Sequence, residues 1–226
     1  MKANEICILL TSTVSVNRDK VGLYHIDKEE RCKLYVERIK QWLDCTNFNI
    51  VVVENSGYIY PELSSYVSKY AERFEICSYV ESDNNDAQYL KDDRSKGCSE
   101  LFSINYAYKT CNLLQEAKYI IKVTARYFVP ELEMYLTRIN NLYEYDAIRQ
   151  HNPDRCELVG CRPDMFSHVF YQYSLDKDGN RQGHVEHVYK YRMNTLLNNN
   201  KKVLTCNEFS ITPTQRGGVN KIFYTI

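Results

Sequence analysis

The stretch AKYIIKVTARYFVP, Ala117–Pro130, decides how the rest of the chain is read. It opens as an apolar, β-rich run of Tyr119, Ile120, Ile121 and Val123, and it ends at Pro130, which cannot continue a ladder. Such a run has the character of a central strand buried on both faces. Lys122, Thr124 and Arg126 interrupt it at spacing two, which places them on one face with Arg126 nearest the carboxyl end. Cations on a buried strand are costly unless something anionic meets them. Either a bound ligand supplies that anion, since open α/β sheets take ligands beyond the carboxyl ends of their strands, or carboxylates inside the protein do.

Outward from this stretch, the chain alternates strand and helix. Ile6–Leu10 (ICILL) and Phe48–Val53 (FNIVVV) read as further buried strands, and Phe74–Val80 as a third. Between the first two lies a loop, Val14–Ile26, in which Asn17, Arg18, Asp19 and Gly22 break any period. A helix follows, with an Asp27–Glu30 capping box and a stripe of Leu34, Ile39, Trp42 and Leu43. Pro61 opens a second helix. Glu81–Gly97 is polar and loop-like, Ser99 caps a helix to about Leu114, and Pro130–Leu142 is helical. Ala147–Ile148, Glu157–Cys161, the aromatic Met165–Tyr173 and Val203–Ile211 read as strands, and Val185–Leu197 as a helix. The expected fold class is therefore α/β, a mixed and mostly parallel sheet flanked by helices in one domain. Residues 1–145 would form a nucleotide-binding half and residues 146–226 a second, substrate-holding half.

Composition narrows the function. Across 226 residues, 29 basic and 29 acidic side chains cancel, so no overall field points to nucleic acid or to an anionic membrane. No window approaches a membrane span, and Ile6–Leu10 is too short for a signal-peptide core. The nine cysteines are scattered and odd in number, and none forms a CxxC pair. That pattern points to a reducing, cytoplasmic setting rather than to a disulfide framework or a zinc site. Twenty tyrosines suit a cleft that stacks rings or sugars, and equally a half-wet core. The GxGxxG and GxxxxGK[ST] phosphate loops are absent, as are GxSxG and HExxH.

Several groups stand where chemistry is expected. Thr11, Ser12 and Thr13 end the first strand and either hydrogen-bond a nucleotide or simply begin a loop. Glu54 and Asn55 follow the second strand and either read a base or ribose, or shape the Asn-Ser-Gly turn. Lys96 and Gly97, just before the Ser99 helix, could cradle a phosphate. Asp83 and Asp86 could hold Mg²⁺ or Mn²⁺ through oxygen, or belong to a solvated loop.

The order of these features resembles a GT-A glycosyltransferase, most of all the small kind found in large DNA viruses and bacterial surface-polysaccharide loci. The matching pieces are ILLTSTVSV, IVVVENSG, KGCSELF, KVTARY, HVEHVYKYRM and NEFSITPTQRGG, which together span nearly the whole chain. The resemblance implies transfer of a sugar from a nucleoside-diphosphate donor, UDP first among them, to a hydroxyl of a glycan or glycoprotein acceptor. For a viral relative that acceptor would be a capsid protein, glycosylated in the host cytoplasm. One departure stands out. Many such enzymes end the central strand in Asp-x-Asp, which holds a divalent ion on the diphosphate. Here the strand ends Lys122-Val123-Thr124-Ala125-Arg126, so the two cations could replace the ion, or Asp83 and Asp86 could supply a displaced metal site. The resemblance further implies Glu186 as general base at a late helix start, with Asp164 and then His187 as alternatives. Arg216, beside Gly217 and Gly218, would close over the diphosphate. Two other readings stay open: a nucleotidyltransferase acting on sugar phosphates, and a non-catalytic nucleotide- or glycan-binding module.

Overall fold

The apolar runs form the inner strands of one sheet. The computed structural model describes residues 1–17, 19–216 and 220–226, so Arg18, Gly217 and Gly218 lie outside the described residues. Strands β1 (Ile6–Ser12), β2 (Asn49–Glu54), β3 (Phe74–Ser78) and β4 (Tyr119–Thr124) run parallel. Beyond β4 the sheet takes in β5 (Ala147–Arg149), β6 (Leu158–Cys161) and β7 (Val203–Thr205). The seven strands lie in the order β3-β2-β1-β4-β6-β5-β7, and β6 is antiparallel to both of its neighbours. A separate antiparallel ribbon joins β8 (Ser210–Gln215) to β9 (Ile222–Thr225).

Alternation along the strands feeds two cores. Ile6, Ile8 and Leu10 of β1 pack with Tyr35, Ile39 and Trp42 of α1 (Lys28–Cys45) on one face. The same face takes in Tyr66 of α2 (Ser64–Lys69), whose Lys69 pairs with Asp44 of α1 at 3.2 Å. On the other face, Cys7 and Leu9 pack with α3 (Lys96–Thr110), with its continuation α4 (Asn112–Gln115) and, later in the chain, with the α7 helix described below. Asp27 caps α1, its carboxylate accepting from the Glu30 amide at 2.8 Å, as the sequence predicts. The chain then adds α5 (Leu132–Met134), α6 (Phe166–Val169) and α7 (Val185–Asn198). Sheet and helices form a single α/β domain in which residues on both sides of 145 share the same sheet.

Four local expectations are corrected. The α3 helix starts at Lys96, capped by Ser95, whose hydroxyl accepts from the Gly97 amide at 3.2 Å. Ser99 lies inside the helix and donates to Glu81 at 3.0 Å instead. Met165–Tyr173 is no strand. Phe166 and Phe170 sit four apart, which in a helical turn puts both rings on one side, against Tyr108 and Tyr189. Val203–Ile211 splits between β7 and β8, so its second half leaves the sheet for the ribbon. Glu81–Gly97 is not open loop either, because short 3₁₀ turns at Glu81–Asp83 and Asn85–Leu90 fold it against the sheet end.

Candidate functional site

Strands β1, β2 and β3 step outward in one direction, and the chain then returns to place β4 on the other side of β1. At such a reversal the connections leave toward opposite faces and a crevice opens beyond the carboxyl ends. The register aligns those ends, with Thr11 opposite Thr124 and Ser12 opposite Glu54. A cleft of about 1030 Å³ lies there. It is lined by Thr11, Ser12, Thr13, Asn55, Lys96, Thr124, Arg126, Glu186 and Arg216 among the groups expected from sequence.

Arg126 occupies the turn that ends β4. The Tyr127 amide donates to the Thr124 carbonyl at 3.0 Å, and the Trp42 indole donates to the Tyr127 carbonyl at 2.9 Å, which ties the turn to α1. Arg126 is 9% exposed, and its buried Nε and Nη1 have no acceptor among the described residues. A guanidinium is always charged, so two idle donors next to a cleft are costly until an anion arrives. Lys96 also borders the cleft, its ammonium donating to the Gly22 carbonyl at 3.0 Å. Partial burial pushes this ammonium below its ordinary pKa; Glu186 opposes the shift, and Arg126 and Arg216 add to it. Arg31, which sequence reading passed over, is fully engaged: it donates to Thr13 O, His25 O and the Tyr35 hydroxyl, each at 2.7 Å. It thereby braces the loop after β1. Its signal in the sequence is a cation on the buried stripe of α1, one turn ahead of Tyr35.

Carboxylates form the opposite wall. Glu186 lies in the first turn of α7 and Glu157 just before β6. Arg216, at the end of the β8 strand, spans the two, with Nε 3.0 Å from Glu157 and Nη2 3.5 Å from Glu186. Glu100 of α3 and Glu81 complete the wall; neither was singled out from sequence, although Glu100 lies within the KGCSELF stretch. Near the β1 and β2 ends, Thr13 donates to Asn55 at 2.6 Å and Asn55 donates to Glu81 at 3.2 Å.

Other expected groups stand elsewhere. Lys122 is wholly buried and points at the α3 face, where its ammonium is 2.8 Å from Glu100 and donates to the Cys156 carbonyl at 2.7 Å. Burial, the largest single influence, would depress this ammonium, but the Glu100 charge and hydrogen bond together with Cys156 and Glu157 outweigh it and raise the pKa. An internal carboxylate is therefore its partner. Glu54 is also wholly buried, and its carboxylate accepts from the amides of Val14 (2.8 Å), Ser56 (2.9 Å) and Tyr58 (2.8 Å). It shapes the loops rather than facing the cleft. Asp164 is at the wrong end of the sheet. It follows Cys161, which pairs with Ile120 near the start of β4, and it is held by Arg162 at 3.0 Å. His187 borders a small separate depression. Asp83 and Asp86 are exposed and outside the cleft lining. Among the described residues no three His, Cys, Asp or Glu side chains converge as metal ligands, and the β4 end presents a guanidinium where a metal would need carboxylates. The donor set does not fit a divalent ion.

No helix among the described residues is long and apolar enough to cross a membrane. No family model matches the chain, and no curated protein matches its sequence. Solved structures do. A protein of Desulfovibrio desulfuricans G20, assigned as a nucleotide-diphospho-sugar transferase, is similar over 91% of this chain and 80% of its own, with a TM-score of 0.51 at 16% identity. A nucleoside-diphosphate-sugar pyrophosphorylase of Vibrio cholerae RC9 gives 0.45 at 10% identity, over 88% and 90% of the two chains. TarS residues 1–349 of S. aureus give 0.49 at 11% identity, over 91% and 58%. At such identities the likeness is one of architecture: the chain shares the Rossmann-like fold of the Desulfovibrio protein.

Proposed function

We propose that the protein is a glycosyltransferase that moves a sugar from a nucleoside-diphosphate donor, with UDP the first base to test, to a hydroxyl of a glycan. The observation that carries this reading is Arg126, a buried guanidinium with idle donors at the mouth of the switch-point cleft. A diphosphate supplies the missing acceptors in a bidentate geometry that suits Arg. Lys96 stands on the same cleft as a second cation. Residues 1–145, joined by Arg216, then hold the donor, while Glu157 and Glu186 face the acceptor side.

In the reaction, the acceptor hydroxyl attacks the anomeric carbon while the bond from that carbon to the diphosphate oxygen breaks. The bonding pair leaves with the diphosphate, where Arg126 and Lys96 stabilise the growing charge. Glu186 takes the hydroxyl proton as general base. Arg216, which bridges Glu157 and Glu186 in the free protein, can turn to the diphosphate and release the Glu186 oxygen.

Calorimetric titration with UDP, GDP, CDP and dTDP tests the reading. Arg126→Ala is expected to weaken the bound nucleotide by about 1.5–3 kcal/mol, the scale of a charge-assisted hydrogen bond, with stability little changed. Arg126→Lys keeps the charge, loses the fork, and should fall in between. Unchanged affinity beside a stability loss of about 3–5 kcal/mol would mean that Arg126 serves an internal carboxylate, and the reading would be abandoned. Product analysis with a nucleotide sugar then separates transfer, which releases nucleoside diphosphate, from pyrophosphate chemistry.

A further inference from the structure

Lys122 is the largest charged side chain in the fully buried core, and its surroundings have no use for a cation except at one point. Its ammonium meets Glu100 Oε1 at 2.8 Å, an ion pair rather than a well-directed hydrogen bond, and it donates to Cys156 O at 2.7 Å. Removing an ammonium from water costs several kcal/mol, and an apolar pair of similar volume is often as stable. The lysine therefore calls for a reason beyond stability. It joins α3, through Glu100, to the segment entering β6, through Cys156, directly beneath the cleft that both residues line. The Glu100 carboxylate is thereby held by one oxygen from below. Its other oxygen, Oε2, has among the described residues only the Thr11 hydroxyl, at a long 3.4 Å, and the Glu100 side chain is 20% exposed.

We propose that Glu100 is the residue that reads the donor's sugar, with Oε2 accepting a hydrogen bond from a sugar hydroxyl and Lys122 acting as its positioning residue. The inference rests on the nucleotide-sugar reading of the cleft. A carboxylate is repelled by the diphosphate and by a phosphorylated ribose, so among the parts of such a donor it complements a hydroxyl best. Arg126 stands on the same cleft with idle donors, so one site offers a cation for the diphosphate and a fixed anion for the sugar. A partly buried acceptor held for a hydroxyl discriminates against a sugar that lacks it, because the acceptor is then left poorly paired.

The test compares two affinities in the same protein: that of each nucleoside diphosphate, and that of its sugar conjugates. The probes are UDP with UDP-glucose, UDP-galactose and UDP-N-acetylglucosamine, and GDP with GDP-mannose and GDP-fucose. Glu100→Gln is expected to leave diphosphate affinity within about twofold and to weaken the preferred conjugate about 10–100-fold. Lys122→Met should give a smaller loss confined to the conjugate. The double variant Glu100→Gln/Lys122→Met removes both charges of the pair, so it should recover stability in urea melts yet keep the sugar-specific defect. If Glu100→Gln changes the ratio of conjugate to diphosphate affinity for no probe, or weakens both ligands equally, the assignment is overturned. If wild type binds no diphosphate at all, the nucleotide-sugar reading falls first and this assignment with it.

Discussion

At the scale of single residues, two carboxylates near the cleft do opposite things. Glu54 has no exposure, and its oxygens are filled by three backbone amides and the Ser56 hydroxyl. Glu54→Gln puts donors where only acceptors fit. It should lower unfolding free energy by about 1–3 kcal/mol in urea titration, with loss of cleft function only as a consequence. Glu186 is 26% exposed in its side chain and touches only Arg216 among the described polar contacts. Glu186→Gln should keep stability and donor affinity while lowering kcat by roughly 10²–10⁴-fold, read from single-turnover transfer assays. Retained turnover would move the base to another carboxylate of the wall.

At the scale of elements, the cleft depends on how closely α3 and α7 approach. A Cβ on Gly97 would lie 2.5 Å from Val185 Cβ and 2.8 Å from its Cγ1. Val185 precedes Glu186, and the Ser95 cap also reaches this region by donating to the Gly183 carbonyl at 2.7 Å. Gly97→Ala gains at most about 1 kcal/mol of helix propensity, against an overpacking cost of about 1–3 kcal/mol. Overpacking wins because Val185 is branched at Cβ and has no free rotor to yield. The variant should melt earlier in thermal unfolding and lose transfer rate as the start of α7 shifts. A Tm equal to or above wild type would show that the two helices separate freely.

At the scale of the whole molecule, two surface carboxyls outside the cleft contribute to acid stability. Glu5 is held at a pKa of about 2, down from 4.5, by the side chain of Lys118, the Lys2 amide and the Tyr143 hydroxyl. Asp44 is likewise lowered from 3.8 to about 2 by Tyr70, Tyr66 and Lys69. A carboxyl lowered in the folded state binds fewer protons there than in the unfolded chain. It therefore stabilises the fold above its unfolded pKa and loses that contribution as pH falls toward the folded value. Denaturant melts should show stability falling between about pH 4.5 and pH 2, and Glu5→Gln with Asp44→Asn should flatten that limb. Glu5 also joins the amino terminus to the β4 entry and the 142–144 turn.

Much of the architecture was legible without coordinates. Continuous apolar runs marked β1, β2 and β4, Asp27 marked the start of α1, and the stripe through Val188, Arg192 and Leu196 marked α7, because these signals are local in the chain. Alternation correctly put Lys122 on one face of β4, but it says nothing of what packs against that face. Only the fold brought Glu100 of α3 onto Lys122, closed the loops around Glu54, and left Arg126 Nε and Nη1 without an acceptor among the described residues. Strand direction decided Asp164. Because β6 runs antiparallel to β4, Glu157 enters at the cleft and Asp164 leaves at the far end. The β8–β9 ribbon then delivers Arg216 to Glu157 and Glu186. Sequence spacing determines which side chains share a face, but ion pairing across elements depends on three-dimensional approach, which residue order alone does not encode.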